Sequence, residues 1–420
     1  MRSATLRCAS PCRSPSPWAF GRRCTSGSAA GRWHASRSLR RAGVPPVWRK
    51  LTPIFESAPM TELITTLDEF EVEYRKTIGQ QLAFRPSREA SLDNIRRYGD
   101  GAGDYNPLYR DPKHAAASRF GMVTAPPTFI YAVSLGVVAG ETGNIDRARV
   151  STQYLPVNYA GADIEFVRPV WLGDRVTATE VVGETLRKSS KRIGAIQFNT
   201  GLVTYTNQRQ EMVARVKTLM ARFENTGKTL RYDGQSTGAR PETHNVPADP
   251  LVWERERRGA VPRHWEDVAE GEAIPDLPKG TYTVSELFLF THGVLGTGRA
   301  KRAYLEAEGS ADLGGGGRFD EEHATKRRSM PGQFDYGPQR VCWLAQAVTD
   351  WMGDDGTLLK LNASIRHPNI VGDTNVVSGS VTRKWADGED RLVEVQVQNR
   401  NQAGLATALG TATVKLPSVG

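Results

Sequence analysis

Gly103-Asp104-Tyr105-Asn106-Pro107-Leu108-Tyr109-Arg110-Asp111, followed downstream by Ala125-Pro126-Pro127-Thr128, is the stretch on which the reading of this chain turns. Ser91 to Tyr98 alternates polar and apolar residues at helical spacing, and Gly99 to Gly103 supplies the breakers that end a helix. Asp104 is therefore expected just past a helix end, on a loop. Pro107 locks its own backbone and pushes Asn106 out of helical geometry, so the next turn is fixed. Asp104 and Tyr109 can then be aimed at one point. Taken as a turn alone, the same residues fit an Asx turn in which Asp104 and Asn106 only bond nearby backbone.

The pattern G-D-x-N-P-L-Y-x-D, with A-P-P-T-F downstream, resembles the MaoC-like acyl-thioester hydratase/dehydratase family, and within it the type-I fatty-acid-synthase-like dehydratase branch. The resemblance implies an α+β hotdog fold, a curved antiparallel sheet wrapped around a central helix. It also implies addition or removal of water across the α,β double bond of an acyl thioester on coenzyme A or acyl carrier protein. The family pattern is D-x-N-P-x-H, in which Asp and His hold and activate the water. Asp104, Asn106 and Pro107 match, and Tyr109 stands where the His is expected. An imidazole titrates near ~6.5 and exchanges protons at neutral pH, whereas a phenol near ~10 stays protonated and orients or donates. The resemblance thus makes Asp104 the base, Tyr109 its orienting partner, and Asn106 the residue that holds the loop at the substrate.

The rest of the chain repeats one plan. Pro169-Val170-Trp171-Leu172-Gly173-Asp174 returns as Pro368-Asn369-Ile370-Val371-Gly372-Asp373, each time followed by a β-rich run. Before each copy lies an apolar helix entered through proline, Phe129 to Ala139 in the first half and Val341 to Met352 in the second. After each come paired strand-like segments: Ile193 to Thr206 with Met212 to Phe223, and Leu392 to Asn399 with Leu405 to Leu416. The expectation is a tandem double hotdog: residues 60–224, a linker over 225–261, and a degenerate copy over 262–420. The Gly-Asp turns read as structural. In the second half the resemblance continues at Phe319 to His323 and Gly332 to Gln339. The catalytic Asp, however, is replaced by His292-Gly293-Val294-Leu295-Gly296 after the amphipathic Ser285 to Phe290. Gly314 to Gly317 reads as a surface loop.

A thioester between two hotdogs needs a backbone N–H for its oxyanion. Pro126 and Pro127 offer none, which leaves Thr128 in the first half and Gly337 in the second as candidate substrate-binding positions. His292 and His323 are the candidate replacements for the missing imidazole. If either reaches Asp104, catalysis is favoured; if neither does, a binding role is. Cys342, the one cysteine of the body, lies in an apolar helix and reads as core. No His and Cys spacing resembles a metal site, no G-x-S-x-G occurs, and no cofactor is expected.

The net charge of +9 sits in residues 1–59, which hold eleven Arg and Lys against one acid, Glu56, so the body carries only −1. A nucleic-acid partner is not expected, and the apolar helices are too short to cross a membrane. The Arg- and Ser-rich tail reads either as a mitochondrial transit peptide or as an extension upstream of a start at Met60. The latter, with a cytoplasmic protein, is preferred because the folded pattern begins soon after Met60. The function expected is a hydro-lyase interconverting 3-hydroxyacyl and trans-2-enoyl thioesters. Its rivals are a non-catalytic acyl-thioester-binding subunit of a heteromeric dehydratase, and an acyl-CoA thioesterase. Beyond the thioester, the expected partner is a second copy of the chain or a dehydratase partner subunit.

Overall fold

The β-rich runs after the two Gly-Asp turns become long antiparallel ribbons in the computed structural model, which describes residues 62–146, 150–152, 155–190, 194–224, 257–296, 318–326 and 330–419. The expected tail over 1–59, residues 225–256 of the expected linker and the Gly314 to Gly317 run lie outside the described residues. In chain order the first half holds β1 (Glu62–Leu63), α1 (Leu67–Arg75), β2 (Ser87–Glu89), α2 (Leu92–Ala102), a 3-10 turn Pro107–Tyr109 and α3 (Pro112–Ala117). A 3-10 turn Pro127–Phe129 then leads to α4 (Ile130–Val133), α5 (Val138–Glu141), β3 (Val150–Ser151), β4 (Val157–Phe166), β5 (Arg175–Ser190), β6 (Gly194–Thr206) and β7 (Met212–Phe223). The second half holds β8 (Ala273–Thr281), α6 (Val284–Phe290) prolonged by a π turn Thr291–Leu295, α7 (Glu321–Lys326) and α8 (Gly337–Met352). It ends with β9 (Thr357–Ile365), β10 (Thr374–Asp387), β11 (Asp390–Asn401) and β12 (Ala406–Lys415).

Ten strands form one sheet in the order β2-β5-β6-β7-β4-β9-β12-β11-β10-β8. Each half contributes five, and the halves join where β4 pairs antiparallel with β9, from Gly161 opposite Ser364 to Glu165 opposite Lys360. Apolar residues of both halves merge into one buried cluster, which contains Ile164 and Val203 of the first half and Leu344 and Val395 of the second. This is a double hotdog, and Ser57–Gly420 form one compact unit.

The internal repeat extends to individual hydrogen bonds. Asp174 Oδ2 accepts the Trp171 N–H at 2.9 Å, and Asp373 Oδ2 accepts the Ile370 N–H at 2.8 Å. Gln208 donates to Asp174 Oδ1 and Gln402 to Asp373 Oδ1, at 3.0 and 2.9 Å. The Gly-Asp turns are thus closed on their own backbone, as an Asp in a tight turn does.

The central helices differ, and here one expectation is corrected. In the second half α8 is continuous, and all its residues are buried. In the first half the expected helix over Phe129 to Ala139 is broken, because Ser134 is extended and Gly136 is left-handed at φ 63°. Side chains take over the freed backbone groups. Ser134 Oγ accepts the Gly136 N–H at 2.9 Å, Tyr205 donates to the Ser134 carbonyl at 2.8 Å, and Thr218 donates to the Gly136 carbonyl at 2.7 Å. Buried Glu180 closes the gap by accepting from Ser134 Oγ at 2.6 Å and from the Ala139 N–H at 3.1 Å. The break persists because the backbone groups at Ser134, Gly136 and Ala139 find side-chain partners.

Candidate active site

Asp104 is placed by the end of α2. Gly103 caps that helix at φ 66°, a conformation that favours glycine, and the Asp104 N–H donates back to the Gly99 carbonyl at 2.8 Å. Asp104 Oδ1 accepts the Asn106 N–H at 3.1 Å, and Asn106 Oδ1 accepts the Leu108 N–H at 3.0 Å, which caps the 3-10 turn opened by Pro107. The Asx turn is therefore real, and it leaves Asp104 Oδ2 outside it. Asn106, 3% exposed, has its side-chain carbonyl engaged in the turn and holds the loop from within.

The other wall of the site comes from the second half. Lys279 Nζ donates to the Gly103 carbonyl at 3.0 Å and to Gln346 Oε1 at 2.9 Å, while Gln346 Nε2 donates to the same carbonyl at 3.1 Å. Tyr109 is buried beside Thr349. His114 Nε2 lies 2.7 Å from Asp354 Oδ2, and Arg119 donates to the carbonyls of Asp354 and Gly356 at 3.1 and 2.7 Å. The segment from Gly103 to Arg119 thus runs beside α8 from Gln346 to beyond its last residue.

Burial dominates the electrostatics. It pushes Asp104 up to about 6, with Asp350 adding a like-charge push, while the Asn106 N–H, Lys279 and Arg257 pull the other way. Tyr109 is driven well above its ordinary value, first by burial and then by Asp104, Asp350 and Asp354, so it stays a neutral donor. The arrangement offers a carboxyl near neutrality beside a phenol that cannot ionise.

The structure does not bring together all the residues expected from sequence. Thr128 is buried beside the Tyr98 hydroxyl and the Cys342 thiol, which lie 3.2 Å apart. Gly337 is at the opposite end of α8 from Asp350, roughly 20 Å away at 1.5 Å per residue. Gly337 opens α8 nine residues before Gln346, which meets the Gly103 carbonyl, and a Cβ there would meet the Tyr159 ring at 3.0 Å. His292 stacks on Phe288 with ring centroids 5.9 Å apart. It lines a cavity of about 390 Å³ with Arg96, Arg97, Asp100 and Arg110 on the exposed side of α2. The His323 side chain lies outside the described residues. Gly296 closes the π turn of the second copy as Gly103 closes α2, and the position after it lies outside the described residues.

Sequence reasoning missed Lys279, Gln346, Asp350 and the His114–Asp354 pair. A signal for part of this existed. Gln346 and Asp350 are polar residues one turn apart in a helix otherwise read as core, and buried polar groups on one helix face imply a polar partner. Nothing in sequence tied them to Asp104.

Fold and site together define a double-hotdog chain with a buried acidic centre at the junction of its halves. A family model for the FAS1-like, dehydratase domain region matches residues 77–216. The chain is 30% identical over 105 residues, 25% of its length and 68% of the other's, to a UPF0336 protein of Streptomyces griseus. It is 26% identical over 186 residues, 41% of its length and 58% of the other's, to a probable enoyl-CoA hydratase alpha subunit of Thermomonospora curvata. It spans 61% of the length of the UPF0336 proteins of Streptomyces avermitilis and Streptomyces coelicolor. A solved MaoC-like dehydratase shares the fold with a TM-score of 0.59 at 18% identity, over 82% of this chain and 99% of that one. The chain belongs with the UPF0336 proteins, its residues 77–216 match the FAS1-like, dehydratase domain region, and its fold is that of a MaoC-like dehydratase.

Proposed function

We propose that the protein interconverts 3-hydroxyacyl and trans-2-enoyl thioesters, with Asp104 as the base that handles the α-proton and the water. The observation that carries this reading is a carboxyl held at about 6 on the family's own Asp position. There it is ionised enough at neutral pH to accept a proton and basic enough to be useful. Tyr109, held neutral, orients the hydroxyl or water by hydrogen bonding. In dehydration the Asp104 carboxylate removes hydrogen from carbon 2, the double bond forms, and the 3-hydroxyl leaves as water with a proton returned to it. Family membership and the T. curvata relative's description as an enoyl-CoA hydratase subunit support the reaction class.

A second reading has its own observation. Tyr109 occupies the histidine position, and the groups acting most strongly on Asp104 are Asp350, Lys279 and Arg257, none of them an imidazole. That favours an acyl-thioester-binding subunit that lends its site to a catalytic partner. Steady-state hydration of a panel of trans-2-enoyl-CoA substrates separates the readings. The hydratase reading expects turnover that falls at least about 100-fold in Asp104→Asn. Acyl-CoA binding without turnover in either protein supports the subunit reading, and release of free acid supports a thioesterase.

A further inference from the structure

Resting on the hydratase reading, we propose that Lys279 of the second half is a positioning residue of the site: delivered by a bulge in β8, it holds the Gly103 carbonyl and, through it, the turn that carries Asp104.

The delivery begins in the sheet. β8 lies at its edge, beside β10, and the register between the two strands slips at Lys279. Pro278 stands opposite Val376 and Gly280 opposite Asn375, so Lys279 is an extra residue between two successive positions of β10. Gly280 follows it at φ 68°, a left-handed backbone that glycine supplies at little cost. A bulge of this kind takes a side chain out of the strand's alternation and re-aims it, and bulges are over-represented beside active sites for that reason. Lys279 passes the Trp343 ring, with Nζ 5.4 Å from its centroid, and reaches the end of α2.

There its donors are engaged. Nζ donates to the Gly103 carbonyl at 3.0 Å, to Gln346 Oε1 at 2.9 Å and, at a longer 3.4 Å, to the Ala102 carbonyl. Gln346 Nε2 donates to the same Gly103 carbonyl at 3.1 Å, which uses both lone pairs of that oxygen and closes a triangle across the two halves. An ammonium has three donors, so Lys279 keeps none for a thioester and its part is to hold. The fit needs glycine at 103, where a Cβ would stand 2.8 Å from Nζ.

What is held is the peptide plane that leads into Asp104. The Gly103 carbonyl and the Asp104 N–H belong to one rigid unit. Lys279 and Gln346 grip its oxygen, while its N–H donates to the Gly99 carbonyl at 2.8 Å. The grip is also electrostatic, because the last carbonyls of a helix carry partial negative charge and disfavour a carboxylate just beyond them, and a cation on those carbonyls offsets this. The other charged and titratable groups around Asp104 are Asp350 and Cys342 on α8, Arg257 ahead of β8, Tyr98 on α2 and Tyr109 on the 3-10 turn.

The test compares wild type, Lys279→Met, Lys279→Gln and Lys279→Arg in the full chain, with trans-2-enoyl-CoA substrates across pH. Carbon NMR of the aspartate side chains follows Asp104 without substrate, its signal assigned by loss in Asp104→Asn. We expect kcat to fall at least about tenfold in Lys279→Met with KM within about threefold of wild type, since the loosened turn misplaces the base and not the substrate. The acid limb of the rate profile and the titration of Asp104 should both move to higher pH, the cation being gone. Lys279→Arg, which keeps the charge, should return the titration and part of the rate. Lys279→Met with kcat within about twofold of wild type, or with Asp104 titrating unmoved, overturns the assignment. Should that protein not fold, Lys279→Gln, a neutral side chain that keeps a donor, is judged by the same limits. Wild-type chain that turns over none of the panel overturns the hydratase reading, and the Asp104 titration then decides by itself whether Lys279 governs the turn.

Discussion

Asp104 holds a charge where water barely reaches, and this sets a conflict between stability and function at one residue. Its folded value of about 6 lies above the 3.8 of a free carboxyl, so the sign of the linkage is fixed. Below pH 3.8 folded and unfolded chains both bind the proton, and the group is neutral in its effect. As pH rises toward 6 the unfolded chain ionises first, and stability is lost until the folded carboxyl ionises too. At 1.36 kcal/mol per pH unit the loss is about 3 kcal/mol above pH 6. Asp104→Asn keeps an acceptor for the Asn106 N–H, so it should be more stable than wild type by about 2–3 kcal/mol at pH 8 and by less than about 1 kcal/mol near pH 4. Urea unfolding at the two pH values checks this. Equal stability at pH 8 would mean that Asp104 is better solvated than its burial indicates. The turn around Asp104 was legible in sequence because glycine, asparagine and proline act locally there.

At the scale of elements, the two halves treat their central helices in opposite ways. The second keeps α8 whole and anchors its start with a buried ion pair, Asp335 Oδ2 to Arg340 Nε at 2.8 Å, backed by Asn369 Nδ2 donating to Asp335 at 3.0 Å. Burial outweighs the guanidinium's pull and holds Asp335 at about 6, so the pair is ionised above that pH. Asp335→Ala should destabilise the protein by about 3–5 kcal/mol at pH 7.5, because Arg340 would remain buried without its counter-charge. Chemical denaturation at that pH measures it, and a loss below about 1 kcal/mol would show that the His367 and Thr407 carbonyls, which accept from Arg340, suffice. The broken helix of the first half was not readable from Phe129 to Ala139, whose composition is apolar throughout. What breaks it is the bonding of Ser134 and Ala139 to Glu180, and of the Gly136 carbonyl to Thr218. These partners are distant in sequence and meet only in the folded sheet.

Across the whole molecule the β4–β9 seam and the strip from Gly103 to Arg119 make one cooperative body of two similar halves. Gly161 lies in the seam, where an added Cβ would stand 2.3 Å from the Ala363 carbonyl oxygen. Gly161→Val should therefore force β4 away from β9 and lower stability by about 2–4 kcal/mol. Calorimetry should show a single transition that moves as one, since the core runs through both halves. Two separate transitions in wild type would contradict the shared core. The seam also gives the second half a use. Its α8 and Lys279 form a wall of the first half's site.

What the sequence determined by itself is local and repetitive. It specified the Gly-Asp turns, the hairpin strands, the placement of Asp104 past a helix end and the duplication, because each depends on residues close in the chain or on a pattern seen twice. The strand pair β6 and β7 falls within a residue of its expected bounds. Tertiary structure alone decided which helix face meets the Asp104 turn, and that His114 finds Asp354. Those outcomes depend on how the second half packs against the first. That packing is set by side-chain fit across the seam, where partners are separated by hundreds of residues and leave no periodic trace in the chain.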